Sequence, residues 1–199
     1  AAAHFSSSDV NSHLIENSQI LYVEGYLFTS DLGTEAAIQA MGRAKSTNTL
    51  VALSLSDAAV LSIFHDRFTS SVRDFADIVF CNEQEARVYS GQDTTSDAVA
   101  KLSQDVATAF VTCGSDGSIV MSDGGLTSIP SYSVPVVDTT GAGDIYAAGA
   151  LFGLTHDIGP KKAGILGSFA SARIVQQLGP RLSEPLRHQI SAILEGAKP

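Results

Sequence analysis

Along the chain, short apolar runs alternate with longer stretches in which apolar residues recur at the helical period. Residues 20–23, 49–53, 77–81 and 108–113 read as buried strands, each too short and too rich in β-branched residues to be a helix. Ser8 or Asp9 is placed to cap a short helix ending near Asn17. Ser30 or Asp31 is placed to cap another, with Ala36, Ala37, Ala40, Met41 and Ala44 on its inner side. Residues 57–75 read as a broken helical stretch carrying Val60, Leu61, Phe64, Phe68 and Val72. Residues 82–85 open a further helix, and 96–107 form one more.

The second half differs. Residues 118–122 and 126–130 flank Asp123-Gly124-Gly125, a turn signal that predicts a hairpin. Helical patterns then occupy 143–154, 160–177 and 183–194, the last with Leu186, Ile190, Ile193 and Leu194 on one face.

Strands separated by helices imply an α/β fold with right-handed crossovers. The expected form is a mainly parallel sheet covered by helices on both faces. With no internal repeat, low-complexity tract or long linker, residues 1–199 are expected to form a single domain. In such sheets ligands bind beyond the carboxyl ends of the strands, which directs attention to 82–85, 114–117 and 138–144.

Hydrophobic residues make up 44% and charged residues 17%, enough to fill a core and unlike a disordered chain. Twelve Lys and Arg against 21 Asp and Glu give a formal charge of −9, which argues against nucleic acid or an anionic membrane as partner. A small phosphorylated ligand stays open, provided local N–H groups or a metal offset the repulsion. Cys81 and Cys113 are too few for a disulfide framework and sit in apolar runs, so buried thiols in a reducing, cytoplasmic compartment are expected. No segment has the ~18 consecutive apolar residues of a membrane span. Ala1-Ala2-Ala3-His4 lacks the features of a signal peptide, and the absence of an initiator Met suggests a start inside a longer protein. The five histidines show no metal-ligand spacing.

The most informative stretch is Asp138-Thr139-Thr140-Gly141-Ala142-Gly143-Asp144, which leads into an apolar helix. Residues this small let backbone N–H groups approach an anion closely, and the helix start adds its positive dipole end. Asp144 then falls in the first helical turn, where a carboxylate can take a proton from an attacking hydroxyl. The plainer alternative is an acidic residue that simply favours the helix dipole. Asn82-Glu83-Gln84-Glu85 follows a strand and on its own reads as a helix cap. Val111-Thr112-Cys113-Gly114-Ser115-Asp116-Gly117 on its own reads as a turn between strands.

Taken in order, these three segments resemble the motifs of the ribokinase-like (PfkB) carbohydrate and nucleoside kinase family. The signature Asp-Thr-x-Gly-Ala-Gly-Asp is matched at every position. Residues 20–26, 52–57 and 79–86 are similar to the adenosine kinase branch and its bacterial sugar-kinase relatives. The resemblance implies a ribokinase-like fold lacking its N-terminal part and most of its lid, and a phosphotransferase moving the γ-phosphate of ATP to an alcohol of a nucleoside or sugar. It implies Asp144 as catalytic base, with Gly141, Ala142 and Gly143 as the anion hole. Asn82, Thr112, Gly114, Gly117 and Thr139 are implied for the nucleotide. Glu85 is implied for Mg²⁺, and Asp138 and Thr140 for a monovalent cation such as K⁺. A monomer or homodimer is expected. The alternative is a catalytically incomplete fragment or nucleotide-binding module of such a kinase. A dinucleotide-binding oxidoreductase is disfavoured, because no Gly-x-Gly-x-x-Gly follows a first strand.

Overall fold

The computed structural model describes residues 5–199, so the reading of the opening four residues lies outside the described part. The chain divides into two compact units, Ala1–Val111 and Thr112–Pro199.

In the first unit, α1 (Ser12–Glu16) is capped by Asn11, whose side chain accepts from the Leu14 N–H at 3.2 Å. The expected caps instead lie in or beside a preceding 3-10 turn, Ser7–Asp9, where Ser6 and Asp9 form their own capping box. Strands β1 (Ile20–Glu24), β2 (Leu50–Ser54), β3 (Ile78–Asn82) and β4 (Thr108–Thr112) follow one another in that order in the sheet. β1 pairs with β2 and β2 with β3 in parallel, with Tyr22 opposite Ala52 and Ala52 opposite Ile78.

Helix α2 (Asp31–Ser46) starts at Ser30, which accepts from the Gly33 N–H, and buries the five residues that its periodicity indicates. The broken stretch is two helices, α3 (Ala58–Ile63) and α4 (His65–Phe75), with Phe64 at the break. α5 (Glu83–Ser90) ends at Gly91 in the left-handed conformation. α6 (Thr95–Leu102) stops short of the expected residue 107. Residues 103–105 turn out of the helix, and the Asp105 carboxylate there accepts from Arg73 Nε at 3.0 Å and from the Tyr89 hydroxyl at 3.1 Å. Phe80 stacks on Phe110 at 5.0 Å and Phe28 meets Phe68 edge-on at 4.8 Å, which ties the strands and helices into one apolar interior.

The second unit opens with an antiparallel hairpin, β5 (Ser118–Ser122) and β6 (Gly125–Ile129). Asp123 and Gly124 both take positive φ, 50° and 73°, the two-residue turn that suits the strand twist. Helices α7 (Ala142–Thr155) and α8 (Pro160–Ile174) pack backbone to backbone: a β-carbon built on Gly149 would stand 2.9 Å from Gly167 Cα, and one on Gly153 would stand 2.7 Å from Ala163 Cα. The helix expected over 183–194 is reduced to a 3-10 turn, Leu186–His188, and α9 (Ile190–Leu194). Pro185 is extended, with ψ 135°, and lacks the N–H needed to continue a helix. The apolar face persists all the same, since Ile193 is buried with Leu166 and Phe169, and Leu186, Ile190 and Leu194 pack against them.

The alternation of strands and helices followed by a hairpin is the α/β order read from the sequence, with an antiparallel addition. Cys81 is buried, Cys113 is half-buried, and both are thiols. Among the described residues no helix is long and apolar enough to cross a membrane.

Candidate functional site

A cavity of about 520 Å³ lies within the second unit. It brings together six residues singled out in the sequence: Thr112, Gly114, Gly117, Thr139, Ala142 and Gly143. The end of β4 supplies the first, the 3-10 turn Gly114–Asp116 and the residue after it supply the next two, and the entry to α7 supplies the rest.

The N-cap of α7 is Gly141, with φ 79°, and it has no side chain to satisfy the helix start. Ala142 N–H donates to Thr139 O at 3.1 Å and Ile145 N–H donates to Gly141 O at 2.9 Å. The N–H groups of Gly143 and Asp144 lie between these two and have no acceptor among the described residues. They stand at the positive end of a helix of 14 residues, the arrangement that receives an oxyanion. A β-carbon added to Gly143 would meet nothing within 4 Å, so no protein atom requires glycine there. Asp144 is the next residue, exposed in the same turn and outside the cavity wall.

Several contacts fix this helix start. Ser171 donates its hydroxyl to Ala142 O at 2.7 Å, which fastens the first turn of α7 to α8. Gly141 lies against Pro180, to whose Cβ an added β-carbon would come within 2.8 Å. Asp138 and Thr140 are bound to each other: Asp138 Oδ1 accepts from Thr140 N at 2.9 Å and from Thr140 Oγ1 at 2.7 Å. Asp138 Oδ2 accepts from Gly179 N at 2.9 Å. These donors, with the Thr140 hydroxyl contributing most, hold the Asp138 carboxyl below the usual carboxylate range. One acceptor direction on Oδ2 and the Thr140 hydroxyl oxygen are what a monovalent cation would find there.

The two glycines of the 114–117 turn differ. Gly114, φ 55°, has open space where a side chain would project. Gly117, φ 93°, has Ile129 O at 2.1 Å and Ser131 N at 2.7 Å from the position of a β-carbon, so its lack of a side chain lets the outgoing strand pass.

Sequence reasoning missed several lining residues: 131–134, 136, Tyr146, Ser168, Ser171 and Val175. Ser168, Ser171, Ala172 and Val175 are spaced i, i+3, i+4 and i+7, so one face of α8 lines the cavity. That spacing was the available signal. The Tyr146 hydroxyl donates to Ser118 Oγ at 2.8 Å, and burial pushes its pKa up to about 12, so it serves as a neutral wall.

Asn82 and Glu85 lie in the first unit as a complete capping box at the start of α5. Glu85 N–H donates to Asn82 Oδ1 at 2.8 Å. Asn82 N and Nδ2 donate to Glu85 Oε2 and Oε1 at 2.9 and 2.7 Å. Glu85 is only 5% exposed, and burial pushes its carboxyl up against the pull of the Asn82 N–H, with Asp57 adding to the rise. Each carboxylate oxygen keeps one acceptor direction, which fits a water held on Mg²⁺. Among the described residues no three His, Cys, Asp or Glu side chains gather as a metal cluster.

An α/β fold with uncommitted N–H groups at a helix start and an acidic residue in its first turn is an arrangement suited to phosphate or a related oxyanion. The chain belongs to the pfkB family of carbohydrate kinases, whose pattern matches residues 1–187. It is 28% identical to adenosine kinase 1 of Arabidopsis thaliana over 184 residues, 85% of this chain and 53% of that protein. Adenosine kinase from Sinorhizobium meliloti is 31% identical, with a TM-score of 0.89 over 98% of this chain and 59% of that one. A protein from E. coli provisionally called ribokinase II, solved with ATP and Mg²⁺, shares the fold. Its identity is 20% and its TM-score 0.86, over 96% of this chain and 63% of its own. The ribokinase-like fold expected from the motifs is thereby established. The chain spans about half the length of the curated relatives it matches.

Proposed function

We propose that the protein is a kinase that moves the γ-phosphate of Mg-ATP to an alcohol group of a nucleoside, adenosine-like in class, or of a sugar. In this reading residues 1–199 belong to a single kinase domain. One observation carries the proposal: two uncommitted N–H groups, on Gly143 and Asp144, at the start of α7, where Gly143 borders the cavity and the Asp144 carboxylate lies in the same helical turn.

In this reading Gly143 and Asp144 N–H groups donate to the oxygens of the transferring phosphoryl group, with Gly141 and Ala142 shaping the turn that aims them. Thr112, Gly114, Gly117 and Thr139 border the nucleotide. Asp144 accepts the acceptor hydroxyl's proton as that oxygen bonds to the γ-phosphorus and the bond from phosphorus to the ADP oxygen breaks. No Lys, Arg or His lines the cavity, so negative charge on the nucleotide needs a divalent ion for its neutralisation. By its motif, Glu85, held by Asn82, is the residue we assign to Mg²⁺. Mg²⁺, when bound, supplies charge neutralisation across the phosphates. The relatives' names support a nucleoside or a sugar as the acceptor.

A second reading is favoured by the chain's coverage of only about half its relatives: these residues alone form a nucleotide-binding module with an incomplete acceptor site. Asp144→Asn tests the first reading. Turnover should fall by about 10²–10⁴-fold while the calorimetric affinity for Mg-ATP stays within about twofold, as for loss of a general base. Unchanged turnover would reject the role of Asp144. Nucleotide binding without turnover in the unmodified protein would favour the module.

A further inference from the structure

The C=O of one residue and the N–H of the next lie in a single plane and, in a trans peptide, point in opposite directions. At the start of α7 the Ala142 carbonyl and the Gly143 N–H therefore form one rigid unit. The peptide before it, between Gly141 and Ala142, is held at both ends by backbone: Ala142 N–H donates to Thr139 O at 3.1 Å, and Gly141 O accepts from Ile145 N–H at 2.9 Å. The Ala142–Gly143 peptide is different. Its N–H is one of the two uncommitted donors at the helix start, so what holds it must act at its carbonyl. Ser171 Oγ donates there at 2.7 Å, the ordinary length of a good O–H···O bond. A carbonyl oxygen has two acceptor directions, so the helical ladder and the serine can use it together. Ala142, Gly143 and Ser171 all line the cavity, which puts this bond at its wall.

Fixing the carbonyl fixes where the N–H points, and an N–H···O bond weakens steeply once its angle falls below ~120°. Donation to the carbonyl also draws electron density from the peptide nitrogen and makes its N–H a stronger donor, by on the order of 10–30% per bond in a chain. We propose that Ser171 is a positioning residue: through the Ala142–Gly143 peptide it aims and strengthens the Gly143 N–H for an incoming phosphoryl oxygen, a role that rests on the nucleotide reading given above. The serine itself touches no phosphate in this scheme. Its hydroxyl proton is already spent on Ala142 O, and α8 carries it at the distance the peptide needs.

Alanine has the higher helix propensity, which offsets part of the lost hydrogen bond, so Ser171→Ala should stay folded. Ala-Gly pairs occur three times in the chain, at 142–143, 148–149 and 163–164. Labelling the intact protein with carbonyl-¹³C alanine and ¹⁵N glycine therefore isolates the amide signals of Gly143, Gly149 and Gly164 in a carbonyl-filtered NMR spectrum. An amide nitrogen is deshielded by a hydrogen bond to the carbonyl of the preceding residue. In Ser171→Ala the Gly143 nitrogen should move upfield while Gly149 and Gly164 stay in place. The calorimetric dissociation constant for Mg-ATP should rise about three- to tenfold, as for a weakened but not deleted bond to a charged group. Ser171→Thr keeps the hydroxyl and should return both readouts to those of the unmodified protein. A Gly143 signal or an affinity unmoved by alanine, movement of all three signals together, or a threonine variant that behaves like the alanine one overturns the role of Ser171 and leaves the nucleotide reading standing. Mg-ATP that leaves the Gly143 signal of the unmodified protein in place overturns the two together.

Discussion

The Gly179 backbone N–H donates to Asp138 Oδ2 at 2.9 Å across 41 residues of chain, and so links the turn entering α7 to the turn leaving α8. The other oxygen of the same carboxylate holds Thr140 by its N–H and its hydroxyl. One side chain therefore sets both walls against which Gly141 and Pro180 meet. These bonds favour the charged form, so the folded-state pKa lies below the unfolded one. The resulting stabilisation is present above the ordinary value near ~4 and is lost as pH falls through the lower folded value. Asp138→Ala should lower Tm at neutral pH. The gap to the unmodified protein should narrow as pH drops below about 4, as read by thermal scans in a buffer series.

Glu85 titrates in the opposite sense. Burial outweighs the Asn82 N–H and raises its pKa, with the Asp57 charge adding to the rise. The folded state therefore holds the proton more tightly than the unfolded one. This contribution is complete below the unfolded value near ~4.3 and disappears as pH rises through the folded value. Glu85→Gln keeps an acceptor and carries no charge. Relative to the unmodified protein, the Gln variant should gain in Tm as pH climbs from about 4 toward 7. A gap that stays constant over that range would show that the buried carboxylate carries no such cost.

Gly114 and Gly117 belong to one turn but should respond very differently to alanine. At Gly114 the left-handed φ of 55° meets open space, so the cost is the conformational one alone, about 1–2 kcal/mol. At Gly117 the φ of 93° and ψ of −129° lie outside the αL region, and the methyl would stand 2.1 Å from the Ile129 carbonyl oxygen. Backbone strain and steric overlap add there, and the loss should exceed about 3 kcal/mol. Urea denaturation of the two variants, compared by midpoint at equal slope, reads the difference. Similar losses would mean that the hairpin exit at Ile129 moves aside.

The order of elements was legible because strands of the first unit are continuous apolar runs and α2 shows its buried alanines at the helical period. The hairpin was legible from Asp123 and Gly124, residues that tolerate the positive φ they adopt. Helix ends were less legible, since tertiary contacts decide them: Asp105 leaves α6 to meet Arg73 and Tyr89, and Pro185 interrupts an otherwise good amphipathic face. The turn at the start of α7 could be read locally, all its parts lying within seven residues. The rest of the cavity lining could not. Residues 131–136 have no periodicity, and Ser168 and Ser171 look like ordinary helix-packing residues until the fold sets them beside Ala142. Gly117, read as a place for a ligand to approach, owes its glycine to Ile129, a contact that requires knowing where β6 ends.

Gly143 separates the demands of folding from those of the site. It lies in the first turn of α7 with ordinary helical geometry, and no atom lies within 4 Å of where a β-carbon would be. Alanine costs the helix less backbone entropy than glycine, so Gly143→Ala should stabilise the fold by up to about 1 kcal/mol. The same methyl would project into the space bordering the cavity, where the proposed phosphoryl oxygens approach the Gly143 and Asp144 N–H groups. Affinity for Mg-ATP should therefore fall by about tenfold or more, equivalent to ~1.4 kcal/mol, while Tm rises. Thermal scans and calorimetry on one variant give both numbers. A Tm gain with undiminished affinity would mean that the open space above Gly143 is not where the anion rests, and the helix start would then have to be removed from the phosphate-binding machinery.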